Sequence, residues 1–364
     1  MKNLFKNIRF GVISGTEAKK IFKIAKKNNF AIPAINCCTF DTINAVLEAS
    51  KIVNSPVIIQ FSYTGSSFFI GGKETFKKKT HEKSIIGAIT AAKYVHKMSK
   101  FYKVPVILNT DHCHKKILPW IDALIIEDKK FFKRNGISLF TSHMIDLSKE
   151  KVKKNIKICT KYLKEMKKIN TILEIELGCT GGEEDGIDNT KISRKYLYTK
   201  SKDVEYAYKK LIKISKLFII AASFGNIHGV YNVNNVKLKP KILQKSQKSI
   251  KNRYNTKKKP IDFVFHGGSG SRIEEIKEAI SYGVIKINVD TDIQWSAWNG
   301  ILKFYKKNKL YLQNQLGNPK GNNLPNKKYY DPRIWIREFQ MNIINKIKKI
   351  FKDLNSLNLL NKNF

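Results

Sequence analysis

Three histidines stand in settings that suit a metal ligand: His112 in Thr-Asp-His-Cys, His228 in Asn-Ile-His-Gly and His266 in Phe-His-Gly-Gly-Ser. Neutral imidazole is a favoured ligand for zinc, and three protein ligands that leave a fourth position open describe a catalytic site rather than a structural one. A lone histidine of this kind is more often a hydrogen-bonded core or rim residue. The significance lies in three occurring together. His81, His96, His114 and His143 lack that combination of setting and neighbours and read as structural or surface residues.

Carboxylates accompany the imidazoles at Asp111, Asp146, Glu174 and Glu176. Strand alternation points Glu174 and Glu176 to one face, where both can join a site or one can serve as the buried partner of a lysine. The glycine-dense stretch 178–186 carries Glu183, Glu184 and Asp185. It reads as a mobile lid bringing an acid or base to a substrate, with a solvated acidic turn as the plainer alternative. The run from His266 to Ser271, Gly-Gly-Ser-Gly between them, follows a strand and precedes a helix, so its backbone N–H groups can hold an anion. Asn288-Val-Asp-Thr-Asp292 follows the next strand. Arg333, in Tyr-Tyr-Asp-Pro-Arg, can clamp a second phosphate with two parallel N–H donors.

These residues need a frame that brings distant segments together. Short β-branched or apolar runs recur at 31–35, 57–61, 106–110, 139–143, 172–177, 218–223, 262–265 and 284–289. Between them lie amphipathic stretches at 16–28, 43–53, 84–100, 148–168 and 273–282. Eight such βα units predict an α/β fold, a (β/α)8 TIM barrel, whose active site gathers at the C-terminal ends of the strands. Nearly every run ends on a polar residue: Asn36, Ser62, Asp111 with His112, Asp146, Glu176, His228, His266, and Asn288 with Asp290. One domain over residues 1–364 is expected, with an extra C-terminal helical segment from about 299 to 364 as an appendage. Within it, 317–331 reads as a polar loop and 334–354 as an amphipathic helix.

Composition narrows the class. The apolar runs, such as 218–222 and 85–92, fall short of the ~20 residues that span a bilayer. No secretory signal is visible in the first ten residues, so a cytoplasmic protein without membrane partners is expected. The five cysteines are scattered and read as reduced thiols. Lys and Arg number 69 against 29 Asp and Glu, a net charge of +40. The lysines are spread along the whole chain beside an excess of Asn and Ile, with no basic arm, so a nucleic-acid-binding protein is the weaker reading of that charge.

The assembled motifs resemble those of class II fructose-bisphosphate aldolases of the long, dimeric bacterial type. The likeness runs from about Gly11 to Phe351 and is carried by Pro-Ala-Ile-Asn36, Thr-Asp-His-Cys113 with Lys115 and Lys116, Ser-His-Met-Ile-Asp146, Glu174 through Gly186, Phe-Gly-Asn-Ile-His-Gly229, the His266–Ser271 run, Asn288–Asp292 and Asn-Lys-Lys-Tyr-Tyr-Asp-Pro-Arg333. It implies a lyase of glycolysis and gluconeogenesis that cleaves a ketose bisphosphate to triose phosphates, working as a homodimer. It implies His112, His228 and His266 as ligands of a catalytic Zn2+ and Asp146 and Glu176 at a second metal site. Asp111 is implied as proton donor and Glu184 as the base on the lid. Asn36, Ser62 and Arg333 are implied contacts to the far end of the substrate. Gly229, Gly267, Gly268, Ser269, Asn288, Val289, Asp290 and Thr291 are implied to hold the dihydroxyacetone phosphate end, beside a monovalent cation, K+ or Na+. The chain departs from the family pattern at Asn109, where a His stands, at Tyr63–Thr64, where the pair is smaller, and at His114, where a small residue stands. Rival readings are a tagatose-bisphosphate aldolase, differing at one stereocentre, and class I chemistry through a Schiff base on Lys286, the only strand lysine suitably placed.

Overall fold

The apolar segments form a closed ring of eight parallel strands. The computed structural model describes residues 5, 8–71, 81–184, 187–188, 193–229 and 238–360; the side chains of residues 183, 184, 187, 188, 194, 195 and 228 lie outside that description. The strands are β1 (Ile32–Asn36), β2 (Val57–Phe61), β3 (Pro105–His114), β4 (Ser142–Asp146), β5 (Ile172–Leu177), β6 (Phe218–Ala222), β7 (Phe263–Phe265) and β8 (Val284–Val289). Each pairs in parallel with the next, and β8 pairs back onto β1 with Lys286 opposite Ile32 and Asn288 opposite Ala34. This is the (β/α)8 barrel that the alternation of apolar and amphipathic segments predicted.

Ten longer helices among the described residues surround or cap it: α1 (Gly15–Asn28), α2 (Phe40–Ile52), α3 (Glu82–Tyr102), α4 (Leu118–Asn135), α5 (Val152–Lys168), α6 (Ser201–Leu211), α7 (Lys241–Tyr254), α8 (Ile273–Ser281), α9 (Thr291–Asn308) and α10 (Pro332–Asp353). Helices α4, α6 and α7 were not anticipated. In α7 the strong apolar anchors are only Leu243 and Ile250, two turns apart in a stretch of Lys, Gln and Ser, which leaves a faint periodic signal.

Two apolar clusters hold the frame. One lies between strands and outer helices. The other plugs the base of the barrel, where Ala18, Ile21, Phe22 and Ala25 of α1 meet Ile32, Ile58, Ile107, Ile172 and Val264. Apolar filling at the base leaves the polar strand ends for the opposite rim.

Two expectations need correction. The fourth strand was placed at 139–143, yet β4 starts three residues later. Leu139 and Phe140 are buried, but the Phe140 N–H donates to the Asp128 carboxylate (2.9 Å). The stretch 317–331 is not a bare loop: Leu316–Asn318 and Gly321–Pro325 pair as an antiparallel hairpin, followed by a short helix, Lys327–Tyr330. Beyond it, α10 sends Ile343, Ile344, Ile347, Ile350 and Phe351 into the main core cluster. Arg337 of α10 makes two 2.7 Å hydrogen bonds to Glu48 of α2.

Buried Asp262 ties α1 to the base of β7 by ion pairs with Lys19 and with Lys26 (2.6 Å). Burial alone raises its carboxyl, but the two ammonium groups outweigh burial and hold it below the usual carboxylate range. The folded state therefore keeps this group ionised at pH values where the unfolded chain, with an Asp pKa of about 3.9, takes up a proton. Its contribution is complete above that pH and is lost as pH falls through the lower folded value. Asp262→Asn is expected to cost roughly 1–3 kcal/mol at pH 7 and to flatten the acid limb of the stability curve, as read by urea unfolding between pH 7 and pH 3.

Candidate metal centre and active site

A strand sends successive side chains to opposite faces, yet Asp111 and His112 are adjacent and both lie inside the barrel mouth. The register between β3 and β4 explains this. Thr110 pairs with His143 and Cys113 with Ile145, so two residues of β3 oppose the single Met144 of β4. That bulge places His112 in the left-handed region, with φ of 45°. Such a conformation costs a non-glycine residue about 1–3 kcal/mol and persists only where the surroundings enforce it.

Around His112 the mouth collects potential ligands. Its Nδ1 lies 3.3 Å from Asp146 Oδ2 and 3.5 Å from Glu176 Oε2. Its ring meets that of His266 edge to face at a centroid distance of 4.6 Å, and His266 Nδ1 lies 3.7 Å from Glu176 Oε2. Two sets of donor atoms fall within 4.8 Å of one another: Asp111 with His112 and His266, and His112 with Asp146 and Glu176. Two ligands bound tetrahedrally at about 2.1 Å lie about 3.4 Å apart, so these separations suit a shared ion. Electrostatics fits as well. Burial first, and then Asp146, push Glu176 well above the usual carboxylate range, and a cation between the two carboxylates removes that penalty. Burial likewise lowers His266, favouring the neutral imidazole that a metal requires.

The groups behind the ligands are fixed. Glu176 Oε1 accepts from the Thr180 N–H (3.3 Å) and hydroxyl (3.1 Å). His266 Nε2 lies 2.9 Å from Glu174 Oε1, which orients Nδ1 toward Glu176. Lys286, 1% exposed, donates to the other oxygen of Glu174 at 2.6 Å. Burial works against the Glu174 carboxylate, but Lys286 and His266 outweigh it and hold the group at about 2. Glu174 is thus the buried partner of a lysine, and Lys286 is an enclosed, ion-paired ammonium. A Schiff-base nucleophile has to reach its substrate, and Lys286, enclosed against Glu174, gives class I chemistry no support here.

Asp111 faces a different set. Its Oδ2 accepts from Asn36 (3.0 Å) and Gln60 (2.9 Å), and its Oδ1 from Asn288 (3.3 Å). Asn288 Oδ1 has no hydrogen-bond partner among the described residues. Gln60 was missed from the sequence, although a buried polar residue two positions before Ser62 in an apolar strand was a readable signal. Ser62 caps the short helix Tyr63–Phe68 by accepting from the Gly65 N–H (3.1 Å). It lines, with Asn36, Asp290, Ile293 and Phe339, a cleft of about 480 Å³ at the rim.

After β7 the chain is forced close to β8. Gly267 and Gly270 have φ of 63° and 77°, and a Cβ on Gly268 would lie 2.7 Å from Ile287 Cγ2. Only glycines allow the Gly267–Gly268–Ser269 backbone to reach this position beside Asn288. Val289 ends β8, and Thr291 opens α9, whose N-terminus is suited to an anion. Gly229, with φ of 94°, follows the two-residue strand Ile227–His228, which pairs with Gly181–Gly182 of the strand Gly181–Glu184. The backbones of His228 and Glu184 are therefore linked through one small sheet, while their side chains are among those outside the description. Arg333 stands apart: its side chain is 87% exposed, and its described hydrogen bonds all go to Asp331. His143 is structural as expected, held between Thr110 (2.9 Å) and Asp128 (2.7 Å).

A closed parallel barrel whose mouth gathers imidazoles and carboxylates at ligand spacing belongs to the class of metal-assisted barrel enzymes. Comparison with known proteins gives the family. Residues 16–359 match the family model described as Fructose-bisphosphate aldolase class-II. The chain is 60% identical to the Fructose-bisphosphate aldolase class 2 of Buchnera aphidicola subsp. Schizaphis graminum over 97% of its length and 98% of that protein. It is 54% identical to the Escherichia coli K12 protein of the same description, over 99% and 100%. The crystal structure of fructose-bisphosphate aldolase from Campylobacter jejuni matches with a TM-score of 0.88 at 51% identity, covering 98% of this chain and 99% of that one. The chain belongs to the class II fructose-bisphosphate aldolase family, whose members use a divalent metal, typically zinc.

Removing Lys286 leaves Glu174 buried without its full cationic partner. Lys286→Met is expected to lower the unfolding free energy at pH 7 by about 3–5 kcal/mol, measured by denaturant titration. A variant as stable as the parent contradicts the buried pair.

Proposed function

We propose that the chain catalyses the reversible aldol cleavage of fructose 1,6-bisphosphate to dihydroxyacetone phosphate and glyceraldehyde 3-phosphate, a step of glycolysis and gluconeogenesis. The observation that carries this reading is the cluster of His112, His266, Asp146 and Glu176 beside Asp111 at one rim of the barrel, in a chain of this family. His228 joins the ligand set on the strength of its motif.

Cleaving the bond between carbons 3 and 4 leaves electrons that water cannot stabilise as an enediolate. His112, His228 and His266 would hold a divalent ion, which when bound would supply Lewis acidity at the ketone oxygen, and Asp146 and Glu176 are assigned to a second position. Asp111 manages the proton on the carbon-4 oxygen, which becomes the aldehyde. Three amide donors hold its carboxyl group in place. Glu184 is assigned the proton at carbon 3. Asn36 and Ser62 line the rim cleft and are assigned to the far end of the substrate; Arg333 is assigned to the far phosphate on its motif alone. The near phosphate goes to the glycine-forced loop Gly267, Gly268 and Ser269 with Gly229 and the Asn288, Val289, Asp290 and Thr291 segment, and a monovalent cation, K+ or Na+, is assigned beside it. A homodimer working in the cytoplasm completes the reading. No helix among the described residues is long and apolar enough to cross a membrane. No nucleic-acid partner is assigned to the +40 charge.

Asp111→Ala and Glu184→Ala are expected to lose about 10²- to 10⁴-fold in kcat with the fold retained, in an assay coupling triose phosphate release to NADH oxidation. Chelation is expected to abolish turnover and added zinc to restore it, while borohydride traps no adduct. Fructose 1,6-bisphosphate is expected to outpace the tagatose isomer. The reverse preference, or turnover that survives chelation, overturns the assignment.

A further inference from the structure

Four polar side chains lie side by side on adjacent strands at one level of the barrel. Asn36 of β1 is in register with Gln60 of β2, Gln60 with Asn109 of β3, and Asn109 with Ser142 of β4. All but Asn36 are buried. Their hydrogen bonds run in one direction. Ser142 Oγ donates to Asn109 Oδ1 (2.6 Å), and Asn109 Nδ2 donates to Gln60 Oε1 (3.3 Å). Gln60 Nε2 donates both to Asn36 Oδ1 and to Asp111 Oδ2 (2.9 Å).

The two ends of a carboxamide are nearly the same shape, so packing does not decide which way Gln60 or Asn109 points; only hydrogen bonds do. The direction is dictated from the carboxylate. Asp111 Oδ2 accepts from Gln60 Nε2, so Gln60 offers its NH2 group on this side. Gln60 Oε1 then faces Asn109, which must offer its own NH2, and Asn109 Oδ1 is left needing a donor that only the Ser142 hydroxyl supplies within the row. Flipping Gln60 would set its oxygen against both Asp111 Oδ2 and Asn36 Oδ1, and flipping Asn109 would set its oxygen against Gln60 Oε1.

We propose that Ser142 and Asn109 are positioning residues that act through Gln60, fixing its amide so that Asp111 is presented to the substrate in a single orientation. Asn109 is the middle link of the row, bonded to Gln60 on one side and to Ser142 on the other. The inference rests on the reading of Asp111 as the proton-transfer group.

The isosteric change Asn109→Asp tests it, because it replaces the donor facing Gln60 Oε1 with an acceptor. Gln60 then turns its oxygen toward Asp111 and Asn36. The expected result is a fall in kcat of about 10²-fold, the size of a misplaced catalytic group, with KM for fructose 1,6-bisphosphate and bound zinc within twofold of the parent. Ser142→Ala removes only the terminal donor and adds no charge, which keeps the test open should Asn109→Asp fail to fold. It is expected to lose roughly fivefold in kcat, about one neutral hydrogen bond, at unchanged KM, with Ser142→Thr recovering most of the loss. Asp111→Ala, measured alongside, separates the two claims. If Asp111→Ala is crippled while folded Asn109→Asp and Ser142→Ala turn over at the parental rate, the relay is wrong. If Asp111→Ala itself turns over normally, the proton-transfer reading fails first. A lower melting temperature with parental kcat per folded enzyme, or no recovery with Ser142→Thr, reduces the row to a structural role and overturns the proposal.

Discussion

The site depends on one extra residue in one strand. In regular β-structure Asp111 and His112 would face opposite sides, one toward the barrel mouth and one toward the outer helices. The bulge against Met144 turns both inward. His112 then reaches Asp146, Glu176 and His266, while Asp111 reaches Asn36, Gln60 and Asn288. His112, the proposed metal ligand, and Asp111, the proposed proton-transfer group, thus share one strand end. The left-handed backbone at His112 is the strain that this arrangement carries.

The rim is a dense set of buried charges, and it is stable because nearly every one has a fixed partner. Lys286 neutralises Glu174, Glu174 orients His266, and Thr180 holds one oxygen of Glu176. Glu176 and Asp146 are the pair left in mutual repulsion, at the place where an ion is assigned. The base of the barrel is filled mainly by apolar side chains, with the Asp262 pairs to Lys19 and Lys26 set beside them. The large positive charge of the chain is carried elsewhere, by lysines along the outer helices such as those ending α5 and α6.

Much of this was legible in the sequence, for identifiable reasons. All eight barrel strands overlap the predicted segments because most are short β-branched or apolar runs, and Asn36, His112, Glu176, His266 and Asn288 stand out as polar residues ending such runs. What was hidden depends on tertiary context. The bulge is poorly marked in Thr-Asp-His-Cys, since no glycine stands at its left-handed position. Helix α7 has too few apolar anchors to show its period. The start of β4 shifted because a side chain, Asp128, takes the Phe140 N–H. Gln60 and the row it belongs to emerge only once strand register sets Asn36, Gln60, Asn109 and Ser142 side by side.

The most direct test of the account is anomalous diffraction at the zinc absorption edge from crystals of the metal-loaded protein. The account predicts a strong peak at the barrel mouth within bonding distance, about 2.0–2.1 Å, of nitrogen atoms of His112, His228 and His266. Absence of a peak there, or zinc held by other residues away from these three rings, contradicts it.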